Sequence, residues 1–169
     1  MRAYVRAEPP NSVAGAQVVN IREATNADAA AISELTRDLT LKNISHEFPL
    51  AGRLFLDNAL SAEQVRRNMQ ENCRYHVCEK AGCIVGVVAM RANRHLLKLF
   101  VAEIAQGQGI ARALWTAAKQ ACIRSGHRGP FTVSAARGAE PVYRQLGFVR
   151  SGDETTENGV TRVPMHSAS

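Results

Sequence analysis

The sequence predicts a mixed α+β (α/β) domain built on a mostly antiparallel sheet of about seven strands, with helices on both faces. Three observations predict it. Two short strand-like runs, "RYHVCEK" and "CIVGVVAMR", are joined only by Ala81-Gly82, which reads as a tight hairpin turn. The apolar run "HLLKLFVA" leads through Gln106-Gly107-Gln108-Gly109 into an amphipathic helix and then into "PFTVSA", a strand–helix–strand crossover. The runs "FVRSGDE" and "VTRVPM" flank Glu157-Asn158-Gly159 and read as a closing hairpin. Hairpins beside one crossover give a mixed sheet, and the crossover is expected to be right-handed.

The elements follow in order. Residues 1–17 read as a loose extension with a Pro-Pro break, and one domain is expected over 18–169. "VVNIREA" is a short strand. "TNADAAAISELTRDL" places Ala31, Ile32, Leu35 and Leu39 on one helical face, and Thr25 with Asp28 resembles a capping box with Asp in the Glu position. Asn43 to Asn58 carries Pro49 and Gly52 and reads as a helical turn or loop that packs over something. The next helix is marked by a Ser61/Gln64 capping box and a Leu60/Val65 hydrophobic staple. "HLLKLFVA" is apolar on both faces, as a central strand is. After the glycines, Ile110, Leu114, Ala117 and Ala121 form one stripe, and Gly126 is the expected stop. "RGAEPVYRQL" is a short helix stopped by Gly147.

Composition narrows the class. The chain has 169 residues, a formal net charge of +6 and no apolar stretch long enough to cross a membrane. The first residues lack the apolar middle of a signal peptide, so cytoplasmic residence is the default expectation. Cys73, Cys78, Cys83 and Cys122 show no metal-ligand spacing and read as reduced thiols, mostly in the core; no metal is expected. The basic residues are scattered rather than gathered into a stripe with aromatics, which argues against a nucleic-acid surface. A basic chain also suits a polyanionic small ligand.

The glycine loop supplies a reason for such a ligand. The first turn of a helix has four N–H groups without partners and the positive end of the dipole. A glycine-rich turn in front adds further N–H groups unshielded by side chains. Gln106 to Arg112 sits directly after a buried strand and directly before a helix. No Lys-Ser/Thr follows the glycines and the spacing is not GxGxxG, so the nucleotide loops do not apply. A turn that merely needs flexible residues is the plain alternative.

Gln106-Gly107-Gln108-Gly109-Ile110-Ala111 matches the Q/R-x-x-G-x-G/A coenzyme loop of the GNAT N-acetyltransferases. The chain resembles that family further in "LKLFVAEIAQGQGIARALW" and in "TVSAARGAEPVYRQLGF", and "NGVTRVPM" is similar to the closing strand of one bacterial branch. The resemblance implies the acyl-CoA N-acyltransferase fold and transfer of an acetyl group from acetyl-CoA to an amine. It implies that the backbone of Leu99, Phe100 and Val101 pairs with the pantetheine arm. It implies that the amides of Gln106, Gly107, Gln108, Gly109, Ile110 and Ala111, with Arg112 in the same turn, hold the pyrophosphate. Ser134 stands where many relatives have an Asn that touches the coenzyme, and reaches less far. Tyr143 matches the tyrosine near the thioester sulfur.

The chemistry needs a neutral amine, a donor for the thioester oxygen and a proton for the departing thiolate. A lysine-like amine costs roughly 4–5 kcal/mol to be neutral at pH 7. A base acting through water, or desolvation, supplies this. A backbone N–H near Val101 could serve the oxygen, and Tyr143 is the candidate acid. As a plain alternative, Tyr143 packs in the core with Leu146 and Phe148. Glu103 and His95 are weak candidates for the base, and His46-Glu47 for the acceptor pocket. By resemblance, specificity lies in Asn43–Asn58 and Asp153–Val160. There Phe48, Leu50, Leu54 and Phe55 suggest an apolar wall, and Glu47, Asp57, Asp153 and Glu154 an attraction for cations. The acceptor, the base and the preferred acyl group are not named by the sequence. A homodimer follows from resemblance only. The rival readings are a coenzyme-binding sensor without turnover and an acetyltransferase of aminoacyl-tRNA.

Overall fold

The computed structural model describes residues 19–44, 50–157 and 160–167. Its strands are β1 (Val19–Glu23), β2 (Cys73–Lys80), β3 (Cys83–Arg91), β4 (His95–Val101), β5 (Thr132–Ala136), β6 (Phe148–Arg150), β7 (Thr155–Glu157) and β8 (Val160–Ser167). Its helices are α1 (Ala29–Ile44), α2 (Leu50–Ala59), α3 (Ala62–Gln70), α4 (Ile110–Arg124) and α5 (Glu140–Gln145). All eight strands form one sheet in the order β1-β2-β3-β4-β5-β8-β6, with β7 beside β8. Every pairing is antiparallel except β4 with β5.

Local chemistry explains most of these elements. Ala81 and Gly82 turn β2 into β3 with φ of 50° and 77°, the left-handed pair that matches strand twist. Ser61 Oγ accepts from the Gln64 N–H at 3.1 Å, and Leu60 and Val65 are both buried. The Asp28 carboxylate accepts from Thr25 N at 2.7 Å, as the capping box predicts. Arg22 reaches the same carboxylate and Glu79, which ties β1 to β2 and to the start of the first helix. That guanidinium holds the Asp28 carboxyl well below its ordinary range.

Two apolar clusters fill the two faces. Ile110, Leu114, Trp115 and Ala118 of α4 pack with Tyr143 and Phe148 against Val88, Met90, Leu96 and Val133. On the other face, Ile32 and Val65 pack against Tyr75, Val77, Val87 and Ala89. Helix α4 lies directly on β3: a Cβ added at Gly86 would meet Leu114 Cδ1 at 2.9 Å and Ile110 Cγ2 at 3.2 Å. Gly86→Val should therefore cost about 1–3 kcal/mol. Thermal unfolding would read this as a fall of roughly 3–10 °C. An unchanged melting temperature would mean that α4 does not need this close seat.

The structure corrects the sequence reading in three places. Leu50–Ala59 is a regular helix of 10 residues rather than a helical turn or loop. The stripe of α4 is carried by Trp115 and Ala118 along with Ile110, Leu114 and Ala121, while Ala117 is only half-buried. The first arm of the closing hairpin is broken into β6 and β7, which pair with opposite ends of β8. Residues 1–18, like Asn158 and Gly159, lie outside the described residues.

Candidate active site

The site begins where β4 and β5 part. They pair only at His95↔Thr132 and Leu96↔Val133, although β4 runs on to Val101 and β5 to Ala136. Beyond Leu96, β4 is paired on its β3 side alone. Ala102 N donates to Val85 O at 2.8 Å, so by strand alternation the N–H groups of Val101 and Leu99 face away from β3. Phe100, between them, pairs with Val87. An extended ligand could add to this open edge as a strand does.

The open edge runs into the glycine loop. After a short turn at Glu103–Ala105, with Ala105 buried, the chain passes Gln106 and enters α4. Gly107 and Gly109 have φ of 72° and 76°, a region that disfavours other residues. Gly109 is the N-cap and offers no side chain to the helix. Among the described residues, no acceptor takes the N–H of Gly107, Gln108 or Gly109, and those of Ile110, Ala111 and Arg112 open the helix. A Cβ added at Gly107 or Gly109 would meet nothing within 4 Å, so the space beside the loop is clear. The glutamine side chains brace the loop from behind. Gln106 Nε2 donates to Val101 O at 2.9 Å, Gln108 Nε2 donates to Ile104 O at 3.1 Å, and Lys80 Nζ donates to Gln108 Oε1 at 3.0 Å. The amides are left facing outward as an anion cradle.

Tyr143 comes from α5. Its ring is buried against Phe148, with centroids 5.8 Å apart in an edge arrangement. Its hydroxyl has no hydrogen-bond partner among the described residues, and burial pushes it up to about 12. A phenol so shifted keeps its proton at any physiological pH. It can act as an acid and not as a base.

An ionic network fixes the helix that carries Tyr143. Glu140 Oε1 accepts from Arg144 Nε and Nη2 at 2.9 and 2.7 Å and from Arg150 Nε at 2.8 Å, while Oε2 accepts from Arg150 Nη2 at 2.6 Å. Glu154 joins Arg150 to Arg137. Arg112 Nη2 donates to Gln145 O at 3.1 Å, which links the first turn of α4 to the end of α5. The two guanidiniums hold Glu140 down at about 2 against an ordinary 4.5. A depressed carboxyl stabilises the fold above its unfolded value and loses that contribution as pH falls from about 4.5 toward 2. Glu140→Gln should therefore lower stability at neutral pH, with the gap to the parent closing across that window. Denaturant midpoints from pH 7 to 3 measure it; a gap independent of pH would assign the loss to packing.

The remaining expected residues are dispersed. Ser134 is the first residue of β5 past the β4 pairing, and its side chain is exposed on the face opposite Val133 and Ala135. Glu103 lies on the exposed turn after β4, 3.8 Å from Lys42 Nζ. His95 is at the other end of β4, its Nδ1 2.9 Å from Thr132 Oγ1. Burial, and then three arginines, lower its pKa. Leu54 and Phe55 are exposed on α2, 64% and 51% respectively. Asp57 and Glu154 are already paired with arginines, and Asp153 is exposed. His46, Glu47 and Phe48 lie outside the described residues. The sequence reading passed over Lys98. It is buried on β4 with Nζ donating to Ala59 O at 3.0 Å, and burial brings it down to about 8. A single charge inside "HLLKLFVA" was the signal.

The comparisons with known proteins give the class. Residues 35–168 match the family model described as acetyltransferase (GNAT) domain, and the chain belongs to that family. It is an acetyl-CoA-dependent N-acetyltransferase. No curated protein sequence matches it. Among solved structures, the PaiA N-acetyltransferase of Thermoplasma acidophilum, in complex with coenzyme A, superposes with a TM-score of 0.72 at 15% identity, over 89% of this chain and 98% of that one. A GNAT-family acetyltransferase of Staphylococcus aureus Mu50 gives 0.70 at 13%, over 89% and 98%. The yncA protein of Salmonella typhimurium, with its cofactor acetyl-CoA, gives 0.66 at 18%, over 88% and 92%. At these identities the likeness is one of fold.

Proposed function

We propose that the chain moves the acetyl group of acetyl-CoA to an amine acceptor by direct attack in a ternary complex. The observation that carries this is the continuity of the open β4 edge with the amide cradle at Gly107–Arg112. Together they offer strand-type pairing for an amide-bearing arm and N–H groups for a diphosphate at its end. Acetyl-CoA supplies the activated thioester. Leu99 and Val101 present their backbone groups to the arm, with Phe100 holding the strand to β3. The cradle from Gln106 to Ala111 and Arg112 receives the pyrophosphate, and Ser134 stands at the mouth of the parting strands. The Val101 N–H faces the gap and donates to the thioester oxygen. Tyr143 returns a proton to the leaving sulfur. Glu103 is tied to an exposed turn and His95 lies some six residues of strand from Val101, roughly 20 Å. Desolvation of the amine is therefore the favoured route to its neutral form.

The test is thermal unfolding with acetyl-CoA, coenzyme A and ATP, followed by an amine panel read by thiol release. At about 100 times the dissociation constant, stabilisation should be roughly 2.7 kcal/mol. For a chain of this size that is a rise of roughly 5–10 °C. Shifts with both coenzyme A forms and none with ATP support the cradle's assignment. No shift at millimolar concentration would remove it. A shift with no acyl transfer to any amine would favour a coenzyme-binding module without turnover.

A further inference from the structure

A recess of about 660 Å³ opens at the amino-terminal ends of β4 and β5, the ends away from the glycine loop. Arg91, Arg94, His95, His127 and Thr132 line it, and among the described residues no carboxylate does. The turn from β3 to β4 sets the two arginines. Ala92 and Asn93 both take left-handed φ, 50° and 54°, and the turn is held by Arg94 N on Arg91 O at 3.1 Å and by Thr132 N on Arg94 O at 3.0 Å. Arg91 and Arg94 thus bracket one rigid turn at the rim.

Two features set this group apart. Seven other arginines of the chain, Arg22, Arg37, Arg67, Arg74, Arg137, Arg144 and Arg150, each find a carboxylate. Among the described residues Arg91 and Arg94 find none, and, unlike Arg66 or Arg124, which also lack one, they share a recess. In addition, Nε2 of His127 is buried without a hydrogen-bond partner, its ring packed on Phe131 at 4.5 Å between centroids. Two guanidiniums and two imidazoles thus line one concave site.

We propose that this recess is a second anion site, distinct from the coenzyme cradle, for the phosphate or diphosphate group of a small molecule. Guanidinium forks match phosphate oxygens two at a time, and a pair of them suits a multiply charged anion better than a single carboxylate. Concavity favours a small phosphate ester over the backbone of a polymer, which needs a surface stripe.

The experiment uses the full chain saturated with coenzyme A, so that the glycine loop is occupied. Inorganic pyrophosphate is titrated in by calorimetry, with the imidazole signals of His95 and His127 followed by NMR. One-to-one saturable binding is expected, with both imidazoles shifting. Arg91→Ala/Arg94→Ala, both at exposed positions, should weaken it about tenfold or more, and Arg66→Ala, at an exposed position outside the recess, should not. Absence of saturable binding at millimolar pyrophosphate would overturn the proposal, as would binding that survives the double variant. A single-stranded RNA oligonucleotide that binds more tightly than pyrophosphate, with the same arginine dependence, would replace the small ligand with a polymer and also overturn it.

Discussion

Gly109→Asp should strongly weaken coenzyme binding while leaving the fold in place. At this position φ is 76°, a region Asp enters with less strain than most residues, and an added Cβ meets open space. The new carboxylate would stand at the N-terminus of α4, among the amides that the diphosphate needs. Two unit charges about 4 Å apart repel by ~4 kcal/mol at an effective dielectric constant of 20. Solvent at an exposed loop weakens this, so a loss of about a hundredfold in affinity for coenzyme A is expected. Gly109→Asn has nearly the same shape and backbone preference without the charge, and should keep most of the affinity. Calorimetry on both variants separates the causes. Equal losses would point to backbone strain, and unchanged affinity in the folded Asp variant would remove the loop from the site.

Tyr143→Phe should lower kcat by about a hundredfold, the lower range for loss of a positioned acid, with little change in KM for acetyl-CoA. The ring packing on Phe148 survives the change, and the hydroxyl gives up no partner among the described residues. Stability should stay close to that of the parent, so a fall in rate would report chemistry rather than unfolding. Single-turnover kinetics across pH would also show no limb from Tyr143 below its raised value of about 12. A kcat within twofold of the parent would mean that the sulfur takes its proton from elsewhere.

Reading the sequence succeeded where the signal is local. The Ser61 cap, the Ala81-Gly82 turn and the glycines at 107 and 109 each express a backbone preference that no distant contact had to supply. Helix α2 reads from sequence only as a helical turn or loop, and its 10-residue extent is not legible there. The amide cradle was legible from Gln106-Gly107-Gln108-Gly109, since loop and helix are neighbours in the chain. The parting of β4 from β5 was not. It depends on the register of residues about 37 positions apart, and nothing in either strand encodes where pairing stops. The partners of Glu140 divide the same way. Arg144 lies one helical turn on and could be read from spacing, whereas Arg150 belongs to β6 and is brought back by Gly147.

The two residue pairs that join β4 to β5 have a dynamic consequence. They divide the strands into a block of β1 to β4 and a block of β5 to β8, seamed by that short ladder and by α4. An extended molecule in the gap would complete the missing rungs. Hydrogen exchange at the Leu99 and Val101 amides should then be fast in the free protein and slow in the loaded one. The cosubstrate would in this way behave as a removable strand, and its concentration would set how stiffly the two blocks move together.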